Sequence, residues 1–173
     1  MRILIAGIGN IFHGDDAFGV EVANRLSRRT LPPEARVVDF GIRGFDLAYA
    51  LLDGYDLTIL VDATARGSAP GTLYTLEIDG DAPWRGDEPR AGVATHGMNP
   101  MRVLQMAQAM GGPIGRILMV GCEPETLGPE EEGLMGLSAP VAAAVDAAAD
   151  IVEGLARKCL EEGRGVPEAG AAV

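Results

Sequence analysis

An α/β fold, with a five-stranded and mostly parallel sheet packed between helices, is predicted by three features of this 173-residue chain. Short continuous apolar runs, such as Ile3-Leu4-Ile5-Ala6 and Ile59-Leu60-Val61, have the character of strands buried on both faces. Segments of helical spacing alternate with those runs in a β-α-β-α-β rhythm, which places helices over both faces of a parallel sheet. One link, residues 64–71, is too short to hold a crossover helix, so the fourth strand is expected to run antiparallel to the rest.

Residues 2–6 form the first strand, and a glycine-rich loop leads from it into a helix over residues 17–29. Phe18, Val22 and Leu26 recur every four positions there, and Pro32-Pro33 prevents continuation. Residues 35–40 read as the second strand, 41–44 as a turn, and 45–52 as a short helix closed by Asp53-Gly54. Residues 57–61 and 72–78 are the third and fourth strands, and 79–92, rich in Pro, Gly and charge, is a surface loop. A helix over 97–110 is stopped by Gly111-Gly112-Pro113, and 116–121 is the fifth strand. After an acidic loop over 123–137, Ser138 has the character of an N-cap, with Pro140 in the first turn. The last helix runs to Lys158, with Val141, Val145, Ala148, Val152 and Leu155 as its buried stripe. Asp146, Asp150, Glu153 and Arg157 lie on another face. This gives one domain over residues 1–158 and a frayed tail over 159–173.

Composition narrows the function classes. A net charge of -11, from 14 basic and 25 acidic residues, gives no basic face for nucleic acid and disfavours anionic membranes. No apolar stretch reaches membrane-spanning length, and Cys122 and Cys159 form no CxxC pair, so a reducing, cytoplasmic setting is expected. Cys122 ends an apolar run and has no histidine near it in sequence, which argues against a cysteine protease. No Gly-x-Ser-x-Gly elbow is present. Met98, Met101, Met106 and Met110 have helical spacing and read as core packing rather than sulfur ligands.

In open α/β sheets, sites form at the carboxyl ends of the parallel strands. Polar residues gather there: Asn10, His13, Asp15 and Asp16 after the first strand, Asp62 at the end of the third, His96 after the fourth, and Cys122-Glu123 after the fifth. Asp62 closing an apolar run is costly unless it has partners. An acid of the Asp15-Asp16 loop, Asp62 and His96 could together hold a divalent metal, and oxygen with imidazole suits nickel or zinc. Simpler roles stand beside this. Asp15 or Asp16 could cap the helix that follows, Asp62 could cap a turn near Thr64, His96 could begin a helix, and His13 reads as an exposed loop residue. The Gly7-Ile8-Gly9 run lacks the third glycine of a dinucleotide fingerprint, and Asp15-Asp16 would repel a pyrophosphate.

The order and spacing of several short motifs resemble the nickel-iron hydrogenase maturation endopeptidases. These motifs are Gly7-Ile8-Gly9-Asn10, Gly14-Asp15-Asp16-Ala17-Phe18-Gly19, Asp39 with the 41–44 turn, Val61-Asp62-Ala63, Pro70-Gly71-Thr72, His96 and Gly121-Cys122-Glu123-Pro124-Glu125. The resemblance implies a three-layer α/β/α sandwich around a five-stranded mixed sheet. It implies a cytoplasmic hydrolase, an aspartic or metal-assisted endopeptidase, that trims the C-terminal extension of a hydrogenase large-subunit precursor once nickel is inserted. It also implies that Asp16, Asp62 and His96 are both the catalytic and the metal-recognising set, with nickel carried by the substrate rather than held tightly by the enzyme. On this reading Asp15 becomes the helix cap, Arg43 is a candidate for holding an acidic or C-terminal group, and the protein acts as a monomer. Ile42 and Arg43 stand where the family often has threonine. Two other readings remain: a nickel-dependent checkpoint protein that binds the precursor without cutting it, and a hydrolase like peptidyl-tRNA hydrolase, whose opening strand and Gly-x-Gly-Asn loop are similar.

Overall fold

The computed structural model describes residues 1–78, 99–128 and 132–164. Five strands form one sheet: β1 (Ile3–Ile8), β2 (Ala35–Gly41), β3 (Leu57–Ala63), β4 (Leu73–Ile78) and β5 (Arg116–Cys122). Their order across the sheet is β2-β1-β3-β5-β4. The first four of these neighbours pair in parallel, and β4 lies antiparallel to β5 at the edge, as the short link before it requires.

Alternation along the strands sorts the core into two layers. Ile3 and Ile5 of β1 point toward α1 (Phe18–Leu26) and α4 (Ala139–Arg164). Leu4, Ala6 and Ile8 point the other way, toward α2 (Gly44–Leu51) and α3 (Pro100–Ala109). With helices on both faces, every residue of β1 is buried, which is why the run is continuously apolar. This is the three-layer sandwich expected from the sequence.

Three element boundaries differ from expectation for identifiable reasons. The first helix is preceded by a single 3-10 turn, Gly14–Ala17, and ends at Leu26, with residues 27–29 held by turn hydrogen bonds. The third helix begins at Pro100, because the Asn99 side chain accepts from the Met101 N–H and caps it there. The last helix runs on to Arg164 rather than stopping at Lys158, because Cys159 and Leu160 extend its buried stripe onto the sheet. The expected tail therefore loses its first six residues to α4, and the remainder, 165–173, lies outside the described residues.

The charged face of α4 has a partner in α1. Arg25 pairs with Asp146, and Arg29 reaches Asp150 at 2.7 Å and Glu153 at 3.3 Å, beside the Arg157–Glu153 pair. These exposed pairs set register between two helices whose apolar stripes do most of the stabilising. Among the described residues no helix is long and apolar enough to cross a membrane.

Candidate active site

Strand order places a crevice between β1 and β3, because the chain leaves β1 toward one sheet edge for β2 and returns past it for β3. Crevices of this kind, at the carboxyl ends of the strands, are where α/β sheets hold their ligands. Asp16 follows β1 and Asp62 lies within β3, opposite Gly121 of β5.

Glycines determine how Asp16 arrives there. At Gly9, φ is 136°, and a Cβ would sit 1.7 Å from the Asp16 carbonyl oxygen. A Cβ at Gly19 would lie 2.0 Å from the Val61 carbonyl oxygen and 2.3 Å from that of Ile8. Side chains at these positions would push the 3-10 turn and α1 away from the strands. The glycine-rich loop thus serves close packing of backbone, not a phosphate. With the loop folded back, Asp16 Oδ2 accepts the Asn10 N–H at 2.7 Å.

The two carboxyls have distinct environments. Asp16 is half-buried, and burial raises its pKa against the opposing pull of the Asn10 N–H and of nearby His13. Asp62 is only 7% exposed, and its pKa is raised well above the ordinary value. Burial is the larger cause, the Asp16 charge adds to it, and the Ala63 N–H offsets part. One carboxyl biased toward its protonated form beside a second is a pattern that separates acid from base, or that a cation would reverse.

His13 is not the exposed loop residue the sequence suggested. It is partly buried, its backbone is bridged to Leu134, and its ring lies near enough to act on Asp16. His96 lies outside the described residues, as does the expected loop over 79–92. Among the described residues, no group of three His, Cys, Asp or Glu side chains could hold a metal ion. The described part of the site is the Asp16–Asp62 pair, two hard oxygen donors that suit a divalent cation only with a further ligand.

Asp15 is not a helix cap. It is fully buried, and no side-chain cap bond is made at either the 3-10 turn or α1. Its carboxylate instead accepts the N–H groups of Glu125, Thr126 and Ser138 at 2.8, 2.9 and 2.7 Å, and the Ser138 hydroxyl at 2.9 Å. It fastens the Asp16 turn to the segment after β5 and to the start of α4. The hydroxyl of Ser138, read from sequence as an N-cap, is spent on this contact. No local signal marks the role, since the partners lie 110 to 123 residues away.

Glu123 performs the matching task for Asp62. Its buried carboxylate accepts from the Arg66 and Gly67 N–H groups at 2.8 and 3.1 Å and from the Tyr74 hydroxyl. Burial would raise its pKa, but these donors and the Ser68 N–H outweigh it and hold it below the ordinary value. The loop leaving Asp62 is thereby anchored to β5 and β4. Arg43, proposed from sequence to hold an anionic group, is occupied locally: its Nε donates to Phe40 O at 3.1 Å, a second guanidinium nitrogen to Asp39 O, and Asp46 lies 3.9 Å away. Cys122 is fully buried, and burial with the nearby Asp15 and Glu123 carboxylates pushes its thiol up to about 12, which leaves no thiolate for nucleophilic attack.

Comparison with known proteins bears on the family and the fold. The profile of the family described as hydrogenase maturation protease matches residues 20–155. A putative hydrogenase maturation protease of Methanocaldococcus jannaschii is 30% identical over 158 residues, covering 90% of this chain and 97% of that one. The hydrogenase expression/formation protein HupD of Rhodobacter capsulatus is 32% identical over 127 residues, covering 73% of this chain, which spans 59% of that longer protein. The solved hydrogenase maturating endopeptidase HybD of Escherichia coli superposes with a TM-score of 0.74 at 28% identity, covering 92% of this chain and 94% of that one. The chain belongs to the hydrogenase maturation protease family.

Proposed function

We propose that this protein is an endopeptidase that removes the C-terminal extension from a nickel-iron hydrogenase large-subunit precursor after nickel insertion. The observation that carries the reading is the Asp16–Asp62 pair at the β1/β3 crevice, with the Asp62 pKa raised by burial and further by the charge of Asp16. A divalent cation brought by the substrate would reverse that electrostatic balance, so that both carboxyls could ionise as its oxygen ligands. His96 would supply the imidazole. The site would then be complete only when the nickel-loaded precursor is present, and the enzyme would need no resident metal of its own.

In this mechanism the substrate's nickel supplies Lewis acidity beside the scissile peptide. Asp16 and Asp62 would hold the substrate metal and orient the peptide; one of them would accept a proton from the attacking water and pass it to the leaving amine as the peptide C–N bond breaks. The reading also draws on family membership and on the name of the Escherichia coli relative, a hydrogenase 2 maturation protease. It favours cleavage over a binding checkpoint because two neighbouring carboxyls whose pKa values are both raised, gathered at a strand-end crevice, mark chemistry more often than docking. Mass spectrometry of a precursor incubated with the protein tests it. Loss of a C-terminal fragment from nickel-loaded precursor, and none from nickel-free precursor, is the expected result; equal trimming of both would remove nickel recognition.

A further inference from the structure

Nine large apolar side chains are exposed among the described residues, and six of them lie on three segments that backbone hydrogen bonds join beside the Asp16 loop. Ile11 and Phe12 follow β1, Ile42 and Phe45 follow β2, and Leu134 and Met135 precede α4. Backbone hydrogen bonds tie these segments into one surface. The Gly9 N–H donates to Gly41 O at 3.0 Å, the Leu134 N–H to Phe12 O at 2.8 Å, and the Gly14 N–H to Leu134 O at 2.6 Å. The same loop carries Asp16, whose carboxylate accepts from Asn10. The segments that carry this apolar crescent are joined by backbone hydrogen bonds before any partner arrives, and exposed apolar side chains gathered on such a frame mark an interaction site.

Charge narrows the partner. Asp39 is exposed on the β2 side of the crescent, and Glu125 and Glu132 on the α4 side. The Arg43 guanidinium, between Ile42 and Phe45 in sequence proximity, is already engaged by Phe40 O, Asp39 O and Asp46. An apolar face with carboxylates at both ends suits an apolar polypeptide segment flanked by lysine or arginine and repels an anionic membrane.

We propose that this crescent is the docking surface for an apolar, basic-flanked segment of the precursor protein, seating it so that the scissile bond reaches Asp16 and Asp62. The proposal rests on the peptidase reading for the identity of that partner. It makes Ile11, Phe12, Ile42, Phe45, Leu134 and Met135 determinants of substrate affinity rather than of the chemical step.

The test measures binding of immobilised nickel-loaded precursor by interferometry, for wild type and for the double variant Phe12→Ser with Phe45→Ser. Those side chains are 56% and 67% exposed, so the fold should be retained, and equal thermal midpoints would verify it. The expected result is a Kd about tenfold or more weaker for the double variant, as for loss of interface anchors, with wild-type affinity falling as salt rises. Binding equal to wild type would overturn the docking surface while leaving the peptidase reading intact. If wild type binds the precursor through the crescent but never shortens it, the docking surface stands and the peptidase reading fails. Concentration-dependent dimers of wild type that the double variant abolishes, with no loss of precursor binding, would make a second copy the occupant and overturn the proposal. Binding to phosphatidylserine vesicles in place of precursor would overturn it as well.

Discussion

The Asp16 carboxylate acts on Asp62 across the crevice between β1 and β3, adding its charge to the burial that already raises the Asp62 pKa. The two residues are 46 positions apart in the chain, Asp62 within β3 and Asp16 in the 3-10 turn that follows β1, the adjacent parallel strand. Because burial is the larger cause, Asp16→Asn should lower the Asp62 pKa yet leave it above the ordinary 3.8. Carboxyl-carbon NMR titration reads this directly. An Asp62 pKa unmoved by the substitution would mean that the two carboxyls do not sense each other.

The same shift has a stability consequence. An acid whose folded pKa is raised contributes most to stability when protonated in both states, below the unfolded value. That contribution is lost as pH rises from 3.8 through the raised folded pKa. Asp62→Asn keeps the shape and removes the ionisation. Urea unfolding should therefore show the variant equal to or more stable than wild type at neutral pH, with a flatter dependence between pH 4 and neutrality in about the range where carboxyls titrate. A variant less stable at neutral pH would indicate that the ionised form is paired in a way the fold does not display.

Asp15 carries a structural load that its neighbour does not. Asp15→Ala would leave the Glu125, Thr126 and Ser138 N–H groups without their acceptor and should cost about 3–5 kcal/mol, the range for breaking a buried charged network. Denaturant unfolding measures it. Asp16→Ala, with one backbone donor on a half-buried carboxyl, should cost about 1 kcal/mol or less. Similar losses for the two would contradict the division of labour.

Gly19→Ala should destabilise by about 3 kcal/mol or prevent folding, since the new methyl would overlap the Val61 and Ile8 carbonyl oxygens and force α1 off the sheet. Soluble yield and thermal midpoint are the readouts. A wild-type midpoint would show that the helix can shift at little cost and that the close approach is not what positions the Asp16 turn.

Cys122 offers a check on the chemistry excluded. Its thiol is buried and pushed up to about 12, so native protein should resist iodoacetamide at that position and become labelled in urea. Cys122→Ala should retain cleavage.

Much of this architecture was legible because burial on both faces leaves a plain mark. Ile3-Leu4-Ile5-Ala6 can be nothing but apolar when helices cover both sides, and the missing crossover before Leu73 announces the antiparallel edge strand. Asp62 was legible as a carboxylate where an apolar run should continue, and Asp16 as an acid at the neighbouring strand end. Asp15 was misread because adjacent aspartates look alike in sequence; which one turns inward depends on Glu125, Thr126 and Ser138, more than a hundred residues on. Glu123 was noted only as a strand-end residue for the same reason, its donors being Arg66, Gly67 and Tyr74. The α4 terminus was misplaced because Cys159 and Leu160 lie among charged residues that obscure the end of the stripe.

Cleavage by variants of the carboxyl pair tests the central claim most directly. A nickel-loaded large-subunit precursor is incubated with wild type, Asp16→Asn, Asp62→Asn and the distant control Asp150→Asn, and its mass is followed with time. The account predicts trimming by wild type and the control, with both site variants slowed by about a hundredfold or more, as for loss of a group acting in acid–base or metal-assisted chemistry. Trimming by Asp62→Asn at the wild-type rate would contradict it.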